Sequence, residues 1–173
     1  AVNKHIKICK WLYSKFNMTI EDINMKDNKV FRFLVYDNLE ICKWLYETFH
    51  LTQTDMTLNQ NYIFRTAAKN GKLDILKWIY DTFQVSKENV VSQDNHAFRW
   101  AARNGHLEVC KWLHSVYNLT PDEINSVNIY AFRWAARNGH LEVCKWLYSI
   151  VHNNTDLYFS NYNIKRTFYY STK

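Results

Sequence analysis

Apolar and polar residues follow a helical period along this chain, in blocks that return about every 34 residues. In the clearest block, apolar residues at helical spacing form one face within Phe98–Ala102 and a second within Leu107–Tyr117. Asn104-Gly105 separates the two, and glycine at such a joint adopts positive φ without a Cβ clash. The pattern therefore predicts two helices joined by a tight turn. Leu107, Cys110, Leu113 and Tyr117 form the predicted inward stripe of the second helix.

The blocks are copies of one unit. Ala97–Leu113 recurs unchanged at Ala131–Leu147, a shift of 34 residues, and a weaker copy occupies Ile63–Trp78. A Lys-Trp pair marks the second helix of five copies, with the tryptophans at Trp11, Trp44, Trp78, Trp112 and Trp146. We expect these tryptophans to pack in the core or between helices. Repeats of this period indicate stacked units that bury surface against their neighbours, which favours a binding function over catalysis.

The repeat register divides the chain into six segments. They are a partial first repeat at 1–28, full repeats at 29–61, 62–95, 96–129 and 130–155, and a degenerate capping segment at 156–173. The second repeat lacks one residue and its glycine at Asp37-Asn38, so we expect a tighter or differently shaped turn there. The chain opens at Ala1, inside a repeat and without a starting methionine, which suggests a fragment.

The connectors after the second helices repeat as well. Each has a Ser or Thr in the position of a helix N-cap, and three of the four have an acid three residues later. The caps are Thr19, Thr52, Ser86 and Thr120. An apolar residue precedes each cap and another follows four residues on, as in a capping box with a hydrophobic staple. We therefore predict a short helical turn in every connector.

Composition supports a continuous helical core. Hydrophobic residues make up 47% of the 173 residues, and only three Gly and one Pro are present, which argues against a loop-rich all-β fold. The net charge of +6 is compatible with an acidic protein, a nucleic acid or a membrane surface, or with a solvated basic face. No apolar run approaches the roughly 18 residues of a membrane helix, and no signal peptide is visible. We expect an intracellular protein without membrane contact, although a lost upstream signal stays open.

The chemistry-bearing residues indicate structure more than reaction. Cys9, Cys42, Cys110 and Cys144 occupy one repeated position that Leu76 fills in the third repeat, so it is a core position. Equivalent positions of stacked repeats lie one repeat spacing apart, roughly 10 Å, which exceeds the disulfide limit of about 7 Å between Cα atoms. We expect buried reduced thiols, as in a reducing compartment.

Catalytic motifs are missing from the sequence. It has no nucleophile–base pair, zinc-binding H-E-x-x-H or phosphate-binding glycine loop. We expect no enzyme activity, no cofactor, no metal and no small-molecule substrate. His106 and His140, which follow the Asn-Gly joints, are expected to make structural hydrogen bonds.

The string Ala135–Lys145 resembles the ankyrin-repeat core, A-A-x-x-G-H-L-E-V-V-K. The opening of each repeat, as in Tyr130–Arg133, departs from the family's T-P-L-H, and the capped connector replaces the family's G-A-D-x-N hairpin. The resemblance implies an all-α ankyrin-type solenoid with short helical connectors in place of β-hairpins. A tetratricopeptide array shares the period, but its W-x2-L-G-x2-Y pattern is missing. The Cys-Lys-Trp-Leu variant also looks like ankyrin proteins of amoeba-infecting giant viruses, which implies the host cytoplasm or the viral factory.

The same resemblance implies where a partner binds. In ankyrin proteins the first helices line a concave face, where the basic column and neighbouring side chains would lie. The candidate contact residues are Lys69, Arg103, Arg137, Trp100, Trp134, Thr66 and Tyr36. A solvated face or packing between repeats is the alternative interpretation. A second column replaces a family histidine that ties repeats together, so we expect it to be structural: Arg32, Arg65, Arg99 and Arg133.

These observations predict a protein-interaction scaffold or adaptor that binds an acidic protein, host or viral, through a concave basic and aromatic face. The alternative is binding of nucleic acid or another polyanion by the stacked Arg and Lys columns.

Overall fold

The structure, a computed structural model, describes residues 2–19, 21–22, 38–52, 62–124 and 126–152. These residues form helices and turns and contain no strand, which confirms the all-α prediction. The helices are α1 (Val2–Phe16), α2 (Leu39–Phe49), α3 (62–69), α4 (Leu73–Phe83), α5 (Lys87–Arg103), α6 (Leu107–Tyr117), α7 (Pro121–Ile124), α8 (Ser126–Arg137) and α9 (Leu141–His152). The predicted capping segment at 156–173 and the turn at Asp37 lie outside the described residues.

The chain packs as two compact units. The first consists of the described residues of Ala1–Ala67 together with Asp74–Gln84, and the second of those of Ala68–Leu73 and Val85–Lys173. In the second unit, α5 packs mainly against α8 and also against α6 and α7, while α8 packs against α9. The first helix of the fourth repeat, α5, therefore contacts both its own second helix and the first helix of the next repeat.

Aromatic rings join successive repeats within the first unit. The Tyr13 ring lies 5.9 Å from Trp44 and 5.4 Å from Phe49, in edge-to-face geometry. Tyr46 repeats this arrangement against the next Trp–Phe pair, Trp78 and Phe83, at 5.9 and 5.4 Å. Edge-to-face pairs at these distances are the favoured aromatic geometry. The predicted packing role is confirmed at these two tryptophans, whereas Trp11 is 57% exposed.

Small side chains let the helices of the second unit approach closely. Phe98, Ala101, Ala102 and Ala135 are fully or almost fully buried, as the apolar pattern predicts. The predicted inward stripe of α6 is correct for Cys110, Leu113 and Tyr117. It is wrong at its first position. Leu107 is only half-buried and its copy Leu141 is 61% exposed, because this residue begins the helix at the outer edge of the repeat.

Both hydrogen bonds of the predicted helix cap are present at the start of α7. The N–H of Glu123 donates to Thr120 Oγ1 at 3.3 Å, and the N–H of Thr120 donates to Glu123 Oε2 at 2.7 Å. These reciprocal bonds are the predicted capping box, and they satisfy two backbone donors that a helix start leaves free. In the first connector the N–H of Thr19 donates to Asp22 Oδ2 at 2.7 Å. The second connector lies mostly outside the described residues.

The third connector differs from the prediction of a separate short turn. Its helical turn runs on into the following helix, and both form α5, which Ser86 caps by accepting the Asn89 N–H at 3.4 Å. Asp94 and Asn95 each have φ of 56°, so the backbone leaves right-handed helical geometry there. Asn and Asp tolerate this region better than other side chains. The Asn95 amide, which is buried, donates to the Glu123 carbonyl at 3.2 Å and supports the bend.

Glycine is needed at the Asn-Gly joints for two reasons. Gly71, Gly105 and Gly139 have φ of 69°, 80° and 77°, as predicted. In addition, a Cβ on Gly105 would lie 2.5 Å from Nδ1 of His140, and one on Gly71 equally close to Nδ1 of His106. The imidazole of the next repeat therefore packs in the space that glycine leaves. In the second repeat, Asn38 instead caps α2 by accepting the Glu40 N–H at 2.8 Å.

Candidate functional site

Three helices of successive repeats end in a cation. Lys69 ends α3, Arg103 ends α5 and Arg137 ends α8. A positive side chain in the last turn of a helix interacts favourably with the negative end of the helix dipole. All three residues belong to the second compact unit, so their relative positions are those of one packed body.

Two indoles alternate with these three cations. Lys69 Nζ lies 4.6 Å and Arg103 Cζ 4.5 Å from the ring centre of Trp100. Arg103 Cζ lies 4.1 Å and Arg137 Cζ 4.9 Å from the ring centre of Trp134. Each of these distances is within the range of a cation–π contact, which contributes about 0.5–1 kcal/mol at exposed sites. We call Lys69, Trp100, Arg103, Trp134 and Arg137 the cation–aromatic ladder.

The middle cation is the most constrained member of the ladder. Arg103 contacts both indoles, and its Nη1 also donates to the Tyr130 hydroxyl at 3.2 Å. Arg137, by contrast, is exposed and contacts one indole. Among the residues that the structure describes, none of the three cations forms an ion pair with a carboxylate. The ladder therefore presents three positive charges that no acid of the described residues neutralises.

Backbone hydrogen bonds fix the positions from which the cations project. The Lys69 carbonyl accepts from Asn104 Nδ2 at 2.7 Å and from His106 Nε2 at 3.0 Å. The Arg103 carbonyl accepts from Asn138 Nδ2 at 2.7 Å in the same way. Desolvation lowers the pKa of His106, although the bond to the Lys69 carbonyl opposes this shift. The predicted structural role is thereby confirmed for His106.

A family model of ankyrin repeats, in three copies, matches residues 31–128 and again residues 64–157. The chain belongs to the ankyrin-repeat family. No curated protein and no solved structure matches it. Ankyrin repeats are generally protein–protein interaction modules and typically lack enzymatic activity.

A second cation column of this ankyrin chain also contacts aromatic rings. Arg99 Cζ lies 4.9 Å from the ring centre of Tyr130, which belongs to the next repeat. This contact agrees with the predicted structural role of that column. Arg65 Cζ lies 5.9 Å from the ring of Tyr62, and burial lowers the pKa of Arg65. Arg32 lies outside the described residues.

Sequence analysis missed the role of Tyr130. Its ring lies 5.7 Å from Trp134, its hydroxyl accepts from Arg103, and its face contacts Arg99. His96, one repeat earlier, contacts Trp100 in the same way at 5.6 Å. The signal was present in the sequence, because 62, 96 and 130 form a column of rings at the repeat spacing.

Thr66, one of the candidate contact residues, does not join the ladder. Its side chain is only 4% exposed, and its assignment as a contact residue stays a prediction. The threonine is small enough to be enclosed by packing where later repeats have an indole. Tyr36 lies outside the described residues, so its assignment stays a prediction.

The four cysteines of the ankyrin repeats form no disulfide with one another and lie in different environments. Cys42 and Cys110 are buried as predicted, whereas Cys9 and Cys144 are half-buried, which corrects the expectation that all four are enclosed. Desolvation raises the pKa of Cys42 to about 12 and that of Cys144 to about 11, and it raises the pKa of Cys110 further. Thiols with such pKa values are protonated near neutral pH and are poor nucleophiles and metal ligands.

The described part of the chain contains neither of two other kinds of site. There, no group of three or more His, Cys, Asp or Glu side chains is arranged to hold a metal ion. None of the helices described combines the length and the apolar character needed to cross a bilayer. The cation–aromatic ladder is therefore the candidate functional site of the described residues.

Proposed function

We propose that this ankyrin-repeat chain is an interaction scaffold or adaptor that binds an acidic protein through the cation–aromatic ladder. The observation that carries the proposal is a row of three cations held by two indoles and paired with no carboxylate of the described residues. Trp and Arg are enriched among residues that dominate binding energy. Side chains that are already ordered lose little entropy when a partner binds, which raises affinity. The ladder would lie on the concave face that first helices line in this family.

Carboxylates suit the ladder better than nucleic-acid bases. Proteins that bind single strands without sequence preference stack bases on open aromatic rings. Trp100 and Trp134 each already have two cations within 5 Å of the ring centre. Their π-faces are therefore engaged, while the outer N–H groups of Arg and Lys can still donate to an acid. Polyanion binding by charge alone is the second candidate, supported by the net charge of +6.

The resemblance to giant-virus ankyrin proteins extends the proposal. It makes the partner a host or viral protein in the host cytoplasm or viral factory.

The test is affinity capture from host-cell extract with and without nuclease, followed by mass spectrometry. The ladder variant is Lys69→Glu with Arg137→Glu, because Arg103 also has a structural role. The matched control is Lys111→Glu with Lys145→Glu, which changes net charge equally at exposed positions paired with Glu108 and Glu142. We expect a discrete nuclease-resistant partner that the control retains and the ladder variant loses.

Two outcomes would contradict the proposal. If the ladder variant retains every partner, the ladder is not the binding face. If capture consists of many nucleic-acid proteins that nuclease removes, the chain binds polyanions and the scaffold proposal is wrong. Circular dichroism of both variants checks that each one is folded.

A further inference from the structure

The ladder sets an upper limit on the distance between successive charges. Lys69 Nζ and Arg103 Cζ share one indole, at 4.6 and 4.5 Å from its centre, so they lie at most about 9 Å apart. Arg103 and Arg137 share the other, at 4.1 and 4.9 Å, which gives the same limit of about 9 Å. Two like charges on one ring repel each other least from opposite faces, and in that arrangement their separation is near this limit.

An acidic segment can match this spacing in one regular conformation better than in others. In a polyproline-II helix, which has three residues per turn and a rise of about 3.1 Å, every third side chain lies on one face about 9 Å apart. Side chains on one face of a β-strand repeat at about 7 Å and then about 13 Å. On an α-helix the same-face spacings are about 6 Å and about 10.5 Å.

From this match, and on the basis of the proposed function, we infer that the ligand of the ladder is an acidic polyproline-II segment with Asp or Glu at every third residue. Its carboxylates pair in turn with Lys69, Arg103 and Arg137. Arg103 can take part although Nη1 already donates to Tyr130, because a guanidinium has five N–H donors. A polyproline-II segment is also ordered before binding, so it loses little entropy on a fixed row of charges.

Fluorescence anisotropy with labelled peptides tests the inference on the whole chain. The spaced peptide has five Glu-Pro-Pro triplets. The clustered peptide has the same composition, with its five Glu residues together at one end. A third peptide, with Gln in place of Glu, reports binding that does not depend on charge. We expect the spaced peptide to bind at least about tenfold more tightly than the clustered one, and the Gln peptide not to bind.

In this test Gln replaces the Glu of the earlier variants. The ladder variant is here Lys69→Gln with Arg137→Gln, and the control is Lys111→Gln with Lys145→Gln. We expect the preference for the spaced peptide to disappear in the first and to persist in the second. Equal binding of the spaced and clustered peptides overturns the inference about spacing. If that shared binding is still lost in the ladder variant, the proposed function stands.

The remaining outcomes separate the inference from the proposed function. If no acidic peptide binds but capture from extract still depends on the ladder, the inference about the ligand is wrong and the scaffold proposal survives. If capture is also independent of the ladder, both fail. A single-stranded oligodeoxythymidine of about fifteen nucleotides serves as the polyanion arm. Tighter binding of this probe than of the spaced peptide, lost in the ladder variant, would overturn both in favour of nucleic acid.

Discussion

At the scale of single residues, identical side chains in this chain have different roles because their neighbours differ. Arg103 and Arg137 occupy the same position of the identical stretches Ala97–Leu113 and Ala131–Leu147. Among the described residues, however, Arg103 contacts two indoles and a tyrosine hydroxyl while Arg137 contacts one indole. The arginine column was predictable from the repeat period. The interleaving with tryptophan was not, because a one-dimensional pattern holds no distance between neighbouring repeats. The burial of Thr66 was not predictable for the same reason.

We predict that Arg103→Lys destabilises the protein and that Arg137→Lys does not. An ammonium cannot reproduce the planar stacking and forked hydrogen bonding of a guanidinium. Loss of the bond to Tyr130 and weaker contacts with two rings should cost about 1–2 kcal/mol of unfolding free energy. Arg137→Lys should cost less than about 0.5 kcal/mol. Urea denaturation measures both. Equal losses of unfolding free energy in the two variants would show that Arg103 contributes no more to stability than Arg137 does.

The glycine joints allow a second residue-scale prediction with an internal control. Gly139→Ala should cost about 1 kcal/mol, because φ is 77° and nothing lies within 4 Å of the new Cβ. Gly105→Ala has the same φ strain and also forces His140 aside, since the Cβ would lie 2.5 Å from Nδ1. We expect its loss of unfolding free energy in urea to be clearly larger. If the two variants lose the same amount, the imidazole contact contributes nothing to stability.

At the scale of elements, the connectors were well predicted where a local motif specifies them. The Thr-x-x-Glu spacing predicted both hydrogen bonds of the α7 capping box. The continuation of the third connector into α5 was not predictable, because it depends on two residues with positive φ and on a bond from buried Asn95 to another connector. Local chemistry specifies how a helix begins, whereas long-range contacts decide how it joins the next one.

The α7 box predicts a pH dependence. Partial burial would raise the pKa of Glu123, but the Thr120 N–H and the Lys87 ammonium, 3.0 Å away, lower it overall. A carboxyl whose pKa is lowered in the folded state stabilises the protein above its unfolded pKa of about 4.3. That contribution is lost as the pH falls through the lower, folded-state pKa. Glu123→Gln should therefore be less stable at pH 7, by up to about 1 kcal/mol, and should lose less on acidification.

Urea denaturation across this acid range provides the measurement, and Glu108→Gln is the control at an exposed helix position. An unchanged acid slope in Glu123→Gln would show that the box does not contribute to the pH dependence of stability.

At the scale of the whole molecule, two stretches with identical sequence differ in how deeply their residues are buried. Ala97–Leu113 and Ala131–Leu147 have one sequence, so sequence analysis gave the same expectation for both. In the structure Cys110 is buried and Cys144 half-buried, because burial in a repeat array comes from the neighbouring units. How deeply a residue is buried therefore depends on the position of its repeat along the array. The sequence of a single copy does not encode that position.

Thiol labelling under native conditions tests this dependence on position. We predict that Cys144 reacts with a thiol reagent at least about tenfold faster than Cys110, although the flanking residues are the same. Cys110 must wait for local opening of the packed repeats, whereas Cys144 is already partly accessible. Its pKa is also raised less, so more of it is thiolate at a given pH. Mass spectrometry of digested samples over time gives both rates, and urea-unfolded protein shows whether the two thiols are intrinsically alike. Equal native rates would mean that the repeats open together and that the burial of Cys144 does not differ from that of Cys110.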